Sequence, residues 1–355
     1  MYAKNYRLKL FNDWNIKLIL DCTDFQIFKD ATVRNIICLL RKSQDKQDHL
    51  YYKNTSNTSD IWEVLRRPKR KASKKIVEEI NLNWGLIFKL PEEVLNLVAK
   101  IKKNSRPLNF YFPEVSQGLI AYDKYRGQDQ EIIKNRAYHS NKKENDSFKE
   151  WLFGEDVQRY RIDWNGKEYI NYCDGIANPR EPKFFKGERV LIREITNPSI
   201  YAAYTDQEYY NDPAVIIVLD NKKSSISALA LTGILNSKLA TFLHFNSSPK
   251  ATKGSFPKIL VYDIYNFPLP KNINNQSNKV LSNISKNIHE SKKSKPNSIT
   301  TEWENQIDLL VYKLYDLSYE ECQVVDPELD SVLSRFGLDK EEFERMGVEE
   351  MAGNV

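Results

Sequence analysis

The stretch from residue 228 to residue 242 alternates apolar and polar positions with the spacing of an α-helix. Its apolar residues follow one another at steps of three and four positions, which places them on one helix face. They are Ala228, Leu231, Leu235, Leu239 and Phe242. The polar triplet Asn236, Ser237 and Lys238 interrupts this helix. One interpretation is a solvated face; the other is a cap or bend that leaves Lys238 free to meet phosphate.

Two apolar runs near the amino terminus, residues 16–20 and 33–40, predict two strands buried on both faces of a sheet, after a short helix. Because two strands do not make a domain, we expect them to end a larger α/β sheet whose other strands lie upstream or in another chain. Residues 43–60 are polar and turn-rich, which predicts a loop. Residues 76–103 are predicted to be helical, with Pro91 at a helix start.

From residue 115 onward the pattern changes to short strand-like segments separated by Gly, Asn, Asp and Pro. These segments are residues 118–125, 158–164, 167–173, 189–195, 201–205 and 214–220. Residues 277–301 predict a polar helix followed by a linker, and an apolar face from Trp303 to Leu317 predicts a further helix. Ser318 and Glu321 have the spacing of a capping box, which predicts one more helix start.

The chain has 355 residues, of which 41% are hydrophobic, so it can bury one large core or two. No apolar run approaches the roughly 18 residues needed to cross a bilayer, and the first residues lack an apolar signal segment. These features predict a soluble cytoplasmic protein. The four cysteines are scattered without a C-x-x-C pair and the four histidines are isolated, so neither a disulfide framework nor a zinc site is indicated.

The charge is distributed unevenly along the chain. Residues 316–355 contain twelve acidic and three basic residues, so the net charge of +5 leaves about +14 on residues 1–315. A body with this charge is a plausible partner for a polyanion. Residues 66–75 contain seven basic residues and no acidic one. This run predicts either a solvated, mobile loop or a clamp for the phosphate backbone of a nucleic acid.

The sequence contains no complete catalytic motif. It lacks a Walker loop, a serine elbow, a cysteine–histidine pair, and the glycine-bearing and Asn-Pro-Pro-aromatic motifs of an amino-methyltransferase. Asp163, Lys167 and Glu168 can be grouped as a metal-dependent nuclease site, but such spacings arise by chance in a chain that is 28% charged. The sequence therefore favours a binding protein over a complete enzyme, and it predicts no catalytic residue and no metal site.

Residues 231–245, taken together with the glycine-containing loop and strand at residues 254–270, resemble the TaqI-like C-terminal specificity domain. This domain recognises the target in adenine-N6 DNA methyltransferases and in fused type IIG restriction-modification enzymes. Residues 235–238, Leu-Asn-Ser-Lys, match the turn that the family places on its helix. The other similar segments are residues 154–164, 184–195, 303–321 and 5–42, the last of which resembles the final strands of the methyltransferase domain.

The resemblance implies a mixed α/β, α+β chain in which the remnant of a methyltransferase sheet precedes a strand-rich target-recognition domain. The implied parts are methyltransferase-like strands at 1–42, a basic and helical connector at 43–110, the DNA target-recognition domain at 111–272, a polar helix and linker at 273–300, and a C-terminal helical segment at 301–355. S-adenosylmethionine is expected only in a catalytic half upstream of Met1. The chain itself is therefore expected to hold no cofactor, whether it is a recognition subunit or a fragment of a longer reading frame.

The partners implied by the resemblance are double-stranded DNA and a methyltransferase catalytic domain or subunit, with no membrane. Contacts to phosphates fix the register of such a domain on DNA, and a few side chains read base edges. The candidates for backbone contact are Lys69, Arg70, Lys71, Lys238, Lys250 and Lys253. The candidates for base reading, in the segment from Tyr122 to Arg136, are Lys124, Arg126, Gln128 and Arg136.

Three alternatives remain open at this point. The chain is part of an active split methyltransferase or restriction enzyme, a protein-interaction module that works through its acidic C-terminal segment, or an inactive fragment. Co-purification with a catalytic chain favours the first. Salt-insensitive binding to a protein without affinity for DNA favours the second, and instability of the isolated chain favours the third.

Overall fold

The computed structural model describes residues 4–22, 25, 27–28, 30, 35–42, 48–54, 58, 60–80, 89–248, 250–251 and 256–354. These residues fall into two compact units, which comprise residues 1–103 and 104–355. Both units combine helices with sheets, so the chain is a mixed α and β protein, as predicted. No helix within the described ranges is both long enough and apolar enough to cross a membrane.

In the described part of the first unit, four strands form a sheet in the order β2-β1-β3-β4. Its elements are α1 Lys4–Asp13, β1 Asn15–Cys22, β2 Asn35–Arg41, β3 His49–Asn54, α2 Ile61–Arg66, β4 Arg70–Ser73, α3 Lys74–Ile80 and α4 Glu92–Asn104. Strand β1 is antiparallel to β2 and parallel to β3, and β3 is antiparallel to β4. Pro91 directly precedes α4, which confirms the predicted helix start there.

Two segments of this unit are strands where the sequence predicts loops. The predicted loop at residues 43–60 contains β3, and the basic run at residues 66–75 contains β4, so both loop predictions are wrong at these strands. The reason is that Leu50 and Tyr52 of β3, together with Ala72 of β4, are buried. Three buried apolar side chains spread over two short strands give too weak a periodic signal to be seen among so many polar neighbours.

Strand β2 lies at the edge of this sheet, and the prediction that it is buried on both faces is wrong. The side chains of Ile36 and Leu39 are 50% and 54% exposed, whereas most of β1 is buried. Residues three positions apart in a strand point to opposite faces, so apolar side chains of β2 are exposed on both sides of the sheet. An apolar run by itself does not distinguish a central strand from an edge strand.

In the described part of the second unit, two four-stranded sheets share one core. Their strand orders are β13-β12-β15-β6 and β14-β8-β11-β7. The strands of this unit are β5 Ser105–Pro107, β6 Val115–Gln117, β7 His139–Ser140, β8 Phe148–Leu152, β9 Val157–Gln158, β10 Arg161–Ile162, β11 Tyr169–Asn171, β12 Arg189–Arg193, β13 Ala202–Thr205, β14 Tyr210–Asn211, β15 Val215–Leu219 and β16 Pro268–Pro270. Leu191 and Ile217 of the first sheet join Trp151 and Ile170 of the second in one buried cluster.

Most predicted strand segments of this unit contain a strand, but the segment 118–125 does not. The prediction of a strand there is wrong, since Ile120 forms an isolated bridge with Asn178 and the chain then turns at residues 124–126. Gly118 explains the departure from the sheet, because a Cβ atom on this residue would lie only 2.0 Å from the carbonyl oxygen of Asp212. The backbone passes its neighbour too closely there for any residue except glycine.

The helices of the second unit are α5 Leu108–Tyr111, α6 Gln130–Lys134, α7 Ala228–Asn236, α8 Lys238–Ser247, α9 Val261–Tyr265, α10 Asn275–Ser294, α11 Thr301–Leu314, α12 Tyr319–Val325, α13 Leu329–Arg335, α14 Lys340–Arg345 and α15 Val348–Asn354. The predicted polar helix is α10, which packs against α7 and α11. Glu321 N donates to the Ser318 hydroxyl and Ser318 N donates to the Glu321 carboxylate. These two bonds confirm the predicted capping box.

Ser237 divides the helix predicted over residues 228–242 into α7 and α8. Its hydroxyl donates to the carbonyl oxygen of Ile234 at 2.7 Å and accepts from Ala240 N at 3.1 Å, so one side chain caps both helices. Asn236 and Ser237 are only 1% and 2% exposed. The solvated-face interpretation is therefore wrong, and the capping interpretation is confirmed.

Candidate nucleic-acid interface

A short exposed turn follows the bridge at Ile120. Lys124–Arg126 form one turn of 3₁₀ helix, called here the 124–126 turn. Asp123 begins it, because its Oδ1 accepts a hydrogen bond from Tyr125 N at 2.8 Å. Gly127 ends it with a φ of 78°, in the left-handed region that glycine adopts without strain. The sequence Asp-Lys-Tyr-Arg-Gly therefore encodes this turn locally.

Gln128 holds the turn against the rest of the unit. Its Nε2 donates to the carbonyl oxygens of Ala121 and Gly175, at 3.0 and 2.7 Å, and its Oε1 accepts from Asp123 N at 2.7 Å. Both the donor and the acceptor side of the amide are thus engaged with backbone. Base reading by Gln128 would require these bonds to break, so the geometry gives this residue a supporting position under the turn.

The side chains that the turn exposes are two cations and an aromatic ring. Tyr125 is 86% exposed, and the Nζ of Lys124 lies 4.9 Å from the centroid of its ring. Arg126 donates one bond, to the carbonyl oxygen of Ala177 at 3.4 Å. Neither cation forms an ion pair with a carboxylate of the described residues. Sequence reasoning nominated Lys124 and Arg126 but missed Tyr125, for which the available signal was its position between two cations in a turn.

Aromatic side chains anchor the segment behind the turn. The rings of Tyr122 and Tyr138 are stacked with their centroids 5.5 Å apart, and Tyr122 Oη accepts from Tyr138 N at 2.9 Å. The same hydroxyl lies 2.7 Å from Nδ1 of His139. Burial, and secondarily the charge of Arg136, lowers the pKa of His139 to about 4. The imidazole is therefore neutral at neutral pH, and it serves as part of the anchor.

Arg136 holds this segment in place through contacts with Glu168 and Phe153. Its guanidinium forms an ion pair with Glu168 and lies 5.7 Å from the centroid of the Phe153 ring. The side chain is half exposed, but it would have to leave Glu168 before it could read a base.

Asp163 and Glu168, the two carboxylates that could be grouped as a nuclease site, both form ion pairs with arginines. Glu168 pairs with Arg136, and Asp163 pairs with Arg161. Within the described ranges, no group of three or more His, Cys, Asp or Glu side chains could hold a metal ion. The arrangement of these carboxylates is that of ion pairs that fasten loops.

The three lysines nominated near α8 differ in their surroundings. Lys238 is not free, contrary to the prediction, because its Nζ lies 2.7 Å from Oδ2 of the buried Asp326. A phosphate contact at Lys238 would compete with this ion pair. Lys250 is exposed and pairs with no carboxylate in the described part of the chain. Lys253 lies outside the described residues.

The basic run of the first unit forms an exposed edge. Lys69, Arg70 and Lys71 are exposed, and the last two belong to the edge strand β4. Lys69 Nζ lies 6.0 Å from the centroid of the Tyr51 ring, and the Arg70 guanidinium lies 5.9 Å from that of Tyr52. None of the three cations is paired with a carboxylate among the residues that the structure describes. This edge presents positive charge without internal neutralisation.

Comparison with known proteins finds a family model that matches part of the second unit. Residues 149–269 match the TaqI-like C-terminal specificity domain. The matched range runs from β8 to β16. It includes Glu168 and Gly175, which hold Arg136 and Gln128 respectively. The 124–126 turn itself precedes the matched range.

Longer proteins of restriction-modification systems are similar to the chain as a whole. A putative type II restriction enzyme and methyltransferase of Methanocaldococcus jannaschii, RM.MjaORFECS2P, is 26% identical over 342 residues. The similarity covers 94% of this chain but only 28% of that relative, so the chain spans about a quarter of its length. Similar solved structures include the type IIL restriction-modification enzyme MmeI in complex with DNA, at 11% identity and a TM-score of 0.42, covering 98% of this chain and 47% of that one. The type IIG restriction endonuclease BpuSI has the same identity and TM-score, with 99% and 45% coverage.

Proposed function

Because residues 149–269 match the TaqI-like C-terminal specificity domain, we propose that this chain recognises a short sequence in double-stranded DNA for a restriction-modification adenine-N6 DNA methyltransferase. The match is the observation that carries the proposal. It is supported by an exposed turn whose two cations lack carboxylate partners among the described residues and whose position is fixed by Gln128. A rigid support of this kind holds side chains where they can meet a groove without first being ordered.

In this proposal the contacts divide into two kinds. Lys250 and the Lys69–Lys71 edge neutralise phosphates, which supplies affinity that does not depend on sequence. Lys124 and Arg126 reach base edges, where an arginine forms two hydrogen bonds with the O6 and N7 atoms of guanine. Gln128 and Arg136 position this reading segment through their bonds to backbone and to Glu168. Lys238 and Lys253 remain candidates for phosphate contact.

The chemistry that follows recognition belongs, in this proposal, to another domain or subunit. A methyltransferase part that binds S-adenosylmethionine would methylate an adenine at the site that this chain selects. The name of the Methanocaldococcus relative, which combines a restriction enzyme with a methyltransferase, supports this division. We place the action in the cytoplasm, where such a complex would encounter DNA.

The proposed function is tested by binding the purified chain to a pool of random duplexes at moderate salt and sequencing the retained molecules. Enrichment of a short motif is the expected result. Binding that is released by salt and enriches no motif, or no binding at all, would contradict autonomous recognition. The same selection with an added adenine-specific methyltransferase subunit then tests whether a catalytic partner completes the reading surface.

Substitutions separate phosphate contact from base reading. Lys250→Ala should weaken binding to every duplex and reduce the slope of log affinity against log salt by about 0.9, because one phosphate loses its partner. Arg126→Ala should instead relax preference at one base pair by about 1–3 kcal/mol. Lys279→Ala, at an exposed position on α10 outside the nominated segments, is the matched control and should change neither quantity. A salt slope unchanged by Lys250→Ala would remove this lysine from the interface.

A further inference from the structure

Tyr125 is the most exposed large aromatic side chain in the described part of the chain, with 86% of its surface open to solvent. Its backbone N–H bonds to Asp123, and the Nζ of Lys124 lies 4.9 Å from the centroid of its ring. The other aromatic residues of this region are stacked inside the unit, as Tyr122 and Tyr138 are. An aromatic ring that stays exposed to solvent on a surface turn buries little apolar area, so it contributes little to the stability of the fold.

The ring is nevertheless held in a defined place. The turn that carries it is fixed at its start by Asp123, at its end by the left-handed Gly127, and from below by the three hydrogen bonds of Gln128. A tyrosine side chain has few rotatable bonds, so a ring on such a support loses little conformational entropy when it binds. The turn therefore holds the Tyr125 ring in an exposed position before any ligand binds.

The two neighbours of the ring indicate the chemistry of its ligand. Lys124 and Arg126 flank it and pair with no carboxylate among the described residues. A ligand that satisfies all three side chains offers an aromatic surface between two negative charges. A nucleotide within a polynucleotide has this composition, because each base lies between two phosphates.

We propose that Tyr125 stacks on a nucleobase at an opened base step of the duplex, with Lys124 and Arg126 on the adjoining phosphates or base edges. This inference rests on the proposed function and specifies how the 124–126 turn meets DNA. Opening a step requires unstacking, which is least unfavourable where pairing is already broken. The chain should therefore bind a duplex with an unpaired base more tightly than its fully paired counterpart.

The test uses the full chain and two fluorescein-labelled 30-base-pair probes of the same sequence, one fully paired and one with a single unpaired thymine at its centre. Wild type is expected to prefer the second probe. Tyr125→Ala should lose this preference and bind the unpaired-base probe about 10- to 100-fold more weakly, the effect of removing one base–aromatic stack. Tyr125→Phe keeps the ring and should keep the preference. Tyr262→Ala, at a tyrosine on α9 that is 53% exposed, is the matched control and should behave as wild type.

A second measurement locates the contact directly. With 5-iodouracil in place of the unpaired thymine, irradiation should crosslink the base to Tyr125, and peptide mass spectrometry should find no adduct at Tyr262. Equal binding of both probes by Tyr125→Ala and wild type, or adducts that exclude Tyr125, would overturn the inference while leaving sequence recognition intact. Failure of wild type to bind any duplex would overturn the proposed function and the inference together. Unchanged thermal unfolding of Tyr125→Ala shows that the comparison is made on folded protein.

Discussion

Asn236 forms hydrogen bonds to a sheet edge with both the oxygen and the nitrogen of its side-chain amide. Strand β13 is the last strand of its sheet, and both backbone polar groups of Ala202 in this strand bond to the Asn236 amide. Its Oδ1 accepts from Ala202 N at 3.1 Å, and its Nδ2 donates to Ala202 O at 2.8 Å and to Thr232 O at 3.0 Å. Buried backbone groups require partners, so this polar residue is explained by a strand 34 residues away.

We expect Asn236→Ala to lower the free energy of unfolding by about 1–3 kcal/mol, because it leaves the buried N–H of Ala202 without its partner. Urea unfolding followed by circular dichroism measures the change. Asn246→Ala is the matched control. Among the described residues, the side chain of Asn246 bonds to Phe242 of its own helix alone, so this variant should have a smaller effect. Equal losses in the two variants would show that the bonds to Ala202 add nothing specific.

At the scale of elements, two buried carboxyl groups, those of Asp308 and Asp326, hold the amino end of α8 against the C-terminal helices. Asp308 of α11 accepts a hydrogen bond from Lys238 N at 2.8 Å, while the ammonium group of Lys238 pairs with Asp326. Burial raises the pKa of Asp308 to about 7, against the opposing effect of the bond from Lys238 N. Its ionisation is therefore less favourable in the folded chain than in the unfolded one.

This junction predicts a pH dependence of stability. An aspartate in an unfolded chain has a pKa of about 3.9. Because the folded value is higher, the contribution of Asp308 is fully present below about pH 4 and is lost as the pH rises through about 7. Asp308→Asn keeps an oxygen acceptor for Lys238 N and removes the ionisation. The variant should gain stability relative to wild type between pH 4 and 8, on the order of 1.4 kcal/mol for each unit of pKa difference removed.

Urea titrations across this pH range measure the difference. Asp146→Asn, at an exposed aspartate, is the control for a charge change at the surface. Parallel stability curves for wild type and Asp308→Asn would refute the assignment to Asp308. The comparison with the variant is needed because burial also lowers the pKa of His139 and His244 to about 4, which acts in the opposite direction below pH 6.5.

The sequence predicted those elements whose signal is local or strongly periodic. The apolar face from Trp303 to Leu317 predicted α11, and the capping-box spacing of Ser318 and Glu321 predicted the start of α12. It failed for β3 and β4, whose place depends on pairing with partners distant in the chain. The same limit applies to the candidate interface, since the bond between Gln128 and Gly175 spans 47 residues and cannot be inferred from either neighbourhood.

At the scale of the whole molecule, the two units differ in how well their sheets are covered. The central strand β12 of the second unit has Val190, Leu191 and Ile192 fully buried. In the first unit, β2 exposes apolar side chains on both faces, and Leu20, Cys22 and Val64 form a small buried cluster. Local opening is easiest where few buried apolar contacts hold a strand, so the two sheets should differ in local stability.

Hydrogen exchange should reveal this difference. We expect the backbone amides of β12 to exchange far more slowly than those of β2, by mass spectrometry of peptides that cover residues 189–193 and 35–41. Strand β1 should lie between them, because most of its side chains are buried. Comparable protection of β2 and β12 would contradict this expectation for the chain measured alone.

In the 124–126 turn, the residues that fix the backbone are different from the residues whose side chains are exposed. Asp123, Gly127 and Gln128 supply its supports. Among the described residues, the side chains of Lys124 and Tyr125 form no hydrogen bond, and that of Arg126 forms one long bond. Substitutions of the three exposed side chains are therefore expected to leave folding unchanged. Under the proposed function, such substitutions are expected to change the DNA target while Asp123, Gly127 and Gln128 keep the turn in place.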